Sequence, residues 1–224
     1  MNQWLKEFDL FSDLDEEELE ELSQYIKVEQ YPKKATIFHE GSPAEYFYLI
    51  KNGRVKIIKF SNEGKELILE IISKGEMFGA IAVLKGFPYP ASAVAMEETE
   101  VIKISKSSLM KIVDRFPAIM YKLAMDIGER MRGSQEMLKN IALERVESRI
   151  ASLLLKLASK MGQTTPEGIM IDMRLTKQDI ADMVGTTVET SIRTMSKFKN
   201  MGLIKERKGR IILVDKETLS SLYG

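Results

Sequence analysis

Thr187, Val188, Glu189 and Arg193 fall within one stretch, TTVETSIR, in which hydroxyl residues lead into a helical run and a carboxylate precedes a guanidinium by four positions. Four residues is about one helical turn, so both charged groups share a face. A carboxylate there can accept from a cytosine amino group or sit near an adenine, and an arginine can bond guanine O6 and N7 together. The chemistry on offer is the reading of base edges. Nothing comparable supports catalysis: there is one histidine, no cysteine, no G-x-S-x-G and no phosphate loop, so no nucleophile and base can be paired and the chain is expected not to be an enzyme.

Such a face must be held by its neighbours. Upstream, TKQDIADMV has a hydroxyl at its start, Thr176, and apolar Ile180, Ala181 and Val184 at helical spacing, after which Gly185 lets the chain turn without a Cβ clash. The second helix starts at Thr186 or Thr187 and is expected to bury Ile192, Met195 and Phe198 beneath it. That is a helix-turn-helix, which presents its second helix to the major groove. Downstream, LIKERKGRIILV alternates about Lys208-Gly209, a hairpin with a basic tip and hence a wing. Residues 187–210 carry seven Lys or Arg against two acids, which suits a phosphate backbone. An ordinary αα-hairpin with solvated charges is the plainer alternative, and the basic hairpin beside it argues against that.

The 224 residues, 44% apolar, are enough for one large or two modest domains. Formal net charge is zero, yet residues 1–30 hold ten acids against two lysines, so affinity for a polyanion must be local. The acidic start, SDLDEEELEEL, reads as a solvated helix capped by Ser12 or Asp13. Absence of cysteine removes disulfides, thiolate zinc sites and iron-sulfur clusters together. No apolar run approaches the roughly 20 residues that span a bilayer, and MNQWLKEFDLF lacks a secretory pattern, so a cytoplasmic location is expected.

From about 28 to 104, short strands are separated by Gly41, Asn52-Gly53, Glu63-Gly64, Lys74-Gly75 and Gly86, a pattern for a small antiparallel barrel or roll. Pro117 then opens a long helix, since a missing N–H costs little at the first helical position. Met120, Leu123 or Ala124, Ile127, Met131, Ser134, Leu138 and Ile141 recur along it at steps of three and four. Part of this stripe packs on its own roll; the rest is expected to form a two-stranded coiled coil between protomers, with Gly128 and Gly133 allowing close approach of a neighbour or ligand. LERVESRIASLLLKLASKM, 143–161, is a further amphipathic helix, and IMIDMR a short strand. The reading is an α+β chain of three parts: an effector-sensing roll over 1–116, a dimerisation helix over 117–141 and a winged helix-turn-helix over 142–224.

This order of parts resembles the Crp/Fnr superfamily of bacterial transcription regulators over nearly the full chain. The likeness is carried by FHEGSPAEYFYLIKNGRVKI, EGKELILEIISKGEMFGAIAVL, RVESRIASLLLKLA and above all LTKQDIADMVGTTVETSIRTMSKFKNMGLI. It implies a homodimer on double-stranded DNA, with the family's acid-then-arginine pattern at Glu189 and Arg193. Val188 stands where the cyclic-AMP branch has arginine, which is similar to the fumarate-nitrate branch and favours contact with a thymine methyl. The implied target is an inverted repeat with TTGA-like half-sites. By the same resemblance Thr176, Lys177, Gln178, Thr187 and Thr190 hold phosphates, with Lys208 at the wing tip, and RNA polymerase is a partner contacted by activators of the family near 160–168 and 61–66.

The effector site departs from the family's cyclic-nucleotide pattern. Where that pattern has a glutamate after the glycine matching Gly79, and an arginine and serine before an alanine, this chain reads Ala80, Pro90 and Ala91. Losing those charged partners argues against cyclic AMP, although Ser134 and Gln135 fall where long-helix contacts to the base occur. A cyclic-nucleotide-responsive regulator with altered phosphate recognition is the alternative. The expected pocket comprises Phe78, Gly79, Ala80, Ile81, Tyr89, Pro90 and Ala91, with Met77 and the long helix closing it. Its character suits a haem, an aromatic acid or another planar apolar effector. His39, the only candidate histidine ligand, reads as a roll-turn residue, and the methionines of the long helix read as core rather than soft ligands.

Overall fold

Turn chemistry cuts residues 26–105 into eight strands: β1 (Ile26–Tyr31), β2 (Thr36–Phe38), β3 (Tyr46–Asn52), β4 (Arg54–Phe60), β5 (Glu66–Ser73), β6 (Met77–Phe78), β7 (Ser92–Ala95) and β8 (Thr99–Ser105). The computed structural model describes residues 3–223. They form two compact units, one comprising the chain through Lys65 with Leu69–Gly133, the other Glu66–Ile68 with the chain from Ser134 onward.

In the first unit the strands make two four-stranded sheets, ordered β1-β8-β3-β6 and β2-β7-β4-β5. Pairing is antiparallel, with Ile50 opposite Val101 and Ile57 opposite Ala93. Because side chains alternate across a strand, β3 serves two cores. Tyr48 and Ile50 join Val55, Ile72, Phe78, Ala93 and Val101 inside the roll, while Phe47 and Leu49 face a helical layer with Ile102 and Ile104. That layer is α3 (Lys106–Arg115), the start of α4 (Pro117–Leu143) and 3-10 turns at Gln3–Glu7 and Asp9–Phe11. Leu5, Phe8, Phe11, Leu109, Ile112, Ile119 and Leu123 are all buried within it, each side chain contributing roughly 1.5–3 kcal/mol. The acidic helix α1 (Glu16–Ser23) is capped by Asp15 in a reciprocal box with Glu18, not by Ser12 or Asp13. Those two residues instead receive the Lys122 ammonium, at 2.7 Å to the Ser12 hydroxyl and 2.8 Å to the Asp13 carboxylate. Hydrogen bonding and charge from Lys122 hold the Asp13 carboxyl below its usual range.

The second unit is built on α5 (Val146–Met161), whose buried Ile150, Ala151, Leu154 and Leu157 pack against α6 (Lys177–Val184), α7 (Val188–Asn200) and α8 (Lys216–Tyr223). A four-stranded antiparallel sheet, β11-β12-β10-β9, completes it. The expected single strand before α6 is a hairpin of β9 (Gly162–Thr165) and β10 (Gly168–Ile171). β11 (Ile204–Arg207) and β12 (Arg210–Leu213) turn through Lys208 and Gly209, at φ 51° and 77°, the left-handed pair that a two-residue hairpin requires. Among the described residues no helix is long and apolar enough to cross a membrane, and no cluster of His, Asp and Glu could hold a metal ion.

Candidate nucleic-acid interface and effector pocket

α6 begins at Thr176, whose hydroxyl accepts the Asp179 N–H at 3.0 Å while Asp179 reaches back to the Thr176 N–H at 2.8 Å. Gly185 closes it at φ 66°. α7 then starts with Thr187 accepting the Thr190 N–H. Two satisfied caps thus fix the turn between the helices. Ser191, Thr194, Met195 and Phe198 are buried beneath α7, and Glu189 and Arg193 stand exposed together on the opposite face. Neither engages another ionic side chain among the described residues. Ile192 departs from expectation: it is 48% exposed, because Ser191 occupies the inward position and the helical turn carries Ile192 outward beside Arg193.

The other expected phosphate contacts lie in the same unit, and several are engaged within the chain. Lys177 pairs with Glu206 of the wing, and Gln178 donates to the buried Asp182 at 2.8 Å. Lys205 and Arg207 share the Glu167 carboxylate at 3.2 and 3.4 Å, and Arg210 meets Asp172 at 3.0 Å. These acid partners escaped sequence reading because β9 and β10 bring them alongside the wing from about forty residues away.

In the first unit a cavity of about 210 Å³ unites Phe78, Gly79, Ala80, Ile81, Tyr89, Pro90 and Ala91 with Met77, Phe38, Ile57 and Phe87. Gly79 sits at φ 82°, and a Cβ there would crowd the Tyr46 carbonyl and the Tyr89 ring at 3.3 Å each. Tyr89 stacks on Phe38 at 3.7 Å between ring centroids, and its hydroxyl donates to the Tyr46 carbonyl at 2.5 Å. Burial pushes the Tyr89 hydroxyl's pKa up, so it remains a neutral donor. Ser134 and Gln135 do not line this cavity; both are exposed, four and five residues beyond the last wall residue on α4. The helix contributes Asp126, Ile127 and Arg130 instead. Arg130 donates to Glu70 at 2.7 Å and to Asp126 at 2.6 Å, and also to the Met77 carbonyl. Burial alone would pull its pKa down, but Glu70 and Asp126 outweigh that and raise it. This cluster joins residues sixty positions apart, and no local motif signalled it. His39 lies just after β2, exposed, and is not a wall residue.

Along α4 the apolar stripe divides. Leu123 is buried and Ile127 lines the cavity, whereas Met120, Tyr121, Met125, Met131, Leu138 and Ile141 are exposed, Tyr121 and Leu138 at 69% each.

Comparison with known proteins agrees with this architecture. Residues 28–116 match the cyclic nucleotide-binding domain family and 148–222 the Crp-like helix-turn-helix domain. The chain is 31% identical to the cAMP-activated global transcriptional regulator CRP of Salmonella typhimurium, over 88% of this chain and 93% of that one. It is 26% identical to the CRP-like cAMP-activated global transcriptional regulator of Mycobacterium tuberculosis, over 98% of both. FixK2 from Bradyrhizobium japonicum has the same fold, with a TM-score of 0.79 at 24% identity, over 89% of this chain and 98% of that one. A β-roll, a long helix and a capped, basic winged helix-turn-helix, matched end to end in this way, make the chain a member of the Crp/Fnr superfamily of DNA-binding transcription regulators.

Proposed function

We propose that this regulator works as a homodimer that reads an inverted repeat with TTGA-like half-sites and responds to a small effector in the roll cavity. The observation that carries the reading is on α4: the helix that walls the cavity with Asp126, Ile127 and Arg130 also exposes Tyr121, Met125, Met131 and Leu138. Exposed apolar side chains of that size along a 27-residue helix call for a partner helix, and a second copy supplies one by two-fold symmetry. A ligand in the cavity then acts on the element that sets the protomer packing and shifts a population between two arrangements of the dimer. Glu189 and Arg193 read bases, Val188 packs on a thymine methyl, and Thr176, Lys177, Gln178, Thr187, Thr190 and Lys208 set the register on phosphates. RNA polymerase contact by the loops at 160–168 and 61–66 belongs to the same proposal.

Sedimentation and DNase footprinting test this directly. A dimer that protects an inverted repeat is expected; a monomer in solution and on DNA would overturn it. Native mass spectrometry and an absorption spectrum of the purified protein identify any retained effector, haem included. The Salmonella typhimurium and Mycobacterium tuberculosis relatives are cAMP-activated. Here, however, Ala80, Pro90 and Ala91 line the cavity in place of charged phosphate partners, and calorimetry with cyclic AMP and cyclic GMP is expected to show no micromolar binding.

A further inference from the structure

The outward face of α7 carries two parallel lines of side chains. Ser191, Thr194, Met195 and Phe198 fix the inward direction. At about 100° per residue, Glu189 and Arg193 then form one outward line, and Val188 and Ile192 a second about 100° round from it. The first line is charged and the second apolar. Ile192 is 48% exposed and Val188 half-buried. Single exposed apolar residues are ordinary on a protein surface, but this one stands among the groups that read bases, where β-branching costs it rotamer freedom in a helix without full burial to offset the loss. Of the groups that bases show in the major groove, only the thymine C5-methyl is apolar. Against a base N–H or an acceptor such as N7, isoleucine strips water and offers no hydrogen bond in return. Against a methyl there is no such cost, and apolar surface leaves water on both sides. Four residues of helix rise about 6 Å, or one to two base-pair steps of roughly 3.4 Å each, so Val188 and Ile192 reach different base pairs.

We infer that Ile192 is a specificity-determining residue that packs on a second thymine methyl, about one or two base pairs from the thymine that Val188 touches. This rests on the proposed base-reading role of α7 and extends it from the charged pair to an apolar one. By the same chemistry, 5-methylcytosine, which carries its methyl at the same ring position, replaces that thymine better than cytosine does.

Selection from a random duplex library with the full-length protein yields its preferred site. Each thymine of one half-site, on either strand, is then replaced in turn by deoxyuridine, which removes the methyl alone, and affinity is read by fluorescence anisotropy. Two replacements are expected to weaken wild-type binding about three- to fivefold each, the worth of one buried methyl. Ile192→Ala should abolish one of these effects and keep the other, and Val188→Ala should do the converse. At the position assigned to Ile192, 5-methylcytosine is expected to bind the wild type about three- to fivefold tighter than cytosine. Because Ile192 is exposed, its alanine variant should keep the parent's thermal midpoint, so a changed pattern reports the contact and not the fold. Wild-type affinity indifferent to every deoxyuridine, or a set of methyl effects that Ile192→Ala leaves whole, overturns the inference, while the selected site still supports base reading by α7. If no sequence is selected above random DNA, the inference and the base-reading role both fall.

Discussion

Glu189 and Arg193 owe their exposure to what lies under them: Ser191, Thr194, Met195 and Phe198 face the core of the second unit, so the turn that carries both charges is held outward on a capped helix. Each good contact to a base edge is worth about 1–3 kcal/mol of discrimination. Glu189→Ala or Arg193→Ala is therefore expected to reduce the ratio of specific to random DNA affinity by about 5- to 150-fold, with dimerisation and thermal stability unchanged. Equal affinity for palindrome and random DNA in the parent protein, or an unchanged ratio in both variants, would refute the assignment; competition gel shifts at one fixed salt concentration decide it. Val188→Arg adds a donor where an apolar contact to thymine is proposed, and selection from a random library should move preference toward guanine beside the core. This octapeptide was legible in sequence because its information is local: cap, turn glycine and i, i+4 charges sit within one window. Ile192 was misplaced for the same reason in reverse, since a one-position error in helical phase exchanges inside for outside and only the packing against α5 and α6 settles the phase.

Elements show a similar split between local and distant signals. The strands of the roll were readable from their turns, and Gly53 shows why. At φ 85°, with a Cβ position 2.6 Å from both the Glu98 carbonyl and the Thr99 hydroxyl, it admits no other residue without backbone movement. Gly53→Ala should cost more than about 1 kcal/mol, seen as a lowered midpoint in denaturant with DNA contacts untouched; an unchanged midpoint would mean that the β3–β4 turn can relax. The Arg130 cluster, by contrast, left no trace in sequence, because Glu70 lies on β5 and pairs with α4 only once the roll is assembled. Nor could periodicity alone divide the α4 stripe into the part that packs on its own roll and the part left exposed; that division depends on the assembled roll. Leu138, 69% exposed, belongs to the outer part. Leu138→Glu would place like charges at a symmetric helix contact and is expected to shift the protein to monomer in sedimentation at micromolar concentration, while Asn140→Glu, two positions on and about 200° round the helix, should not. A dimer that survives both Leu138→Glu and Met131→Glu would show that α4 is not the interface.

For the molecule as a whole, zero formal charge conceals a separation between an acidic N-terminal segment and a basic wing, and the wing itself is partly masked. Lys205 and Arg207 share Glu167, Arg210 is held by Asp172, and Lys177 by Glu206. A phosphate backbone must replace these carboxylates, so part of the electrostatic gain on binding is offset by pairs already made. Because Lys205 and Arg207 are well exposed, Arg207 at 72%, each of their pairs with Glu167 is worth about 0.2–1 kcal/mol. The masking is therefore weak enough to yield to DNA and strong enough to lower affinity for random sequence, where base contacts contribute nothing. Glu167→Gln removes one carboxylate that serves two cations. It is expected to raise affinity for random duplex DNA by about two- to fivefold near 50 mM salt, with the gain shrinking as screening shortens the reach of exposed charges. Specific affinity should rise by no more than the same factor, so the specificity ratio stays level or falls. Fluorescence anisotropy across a salt series measures all three quantities, and a variant whose random-DNA affinity matches the parent at low salt would show that Glu167 does not restrain the wing.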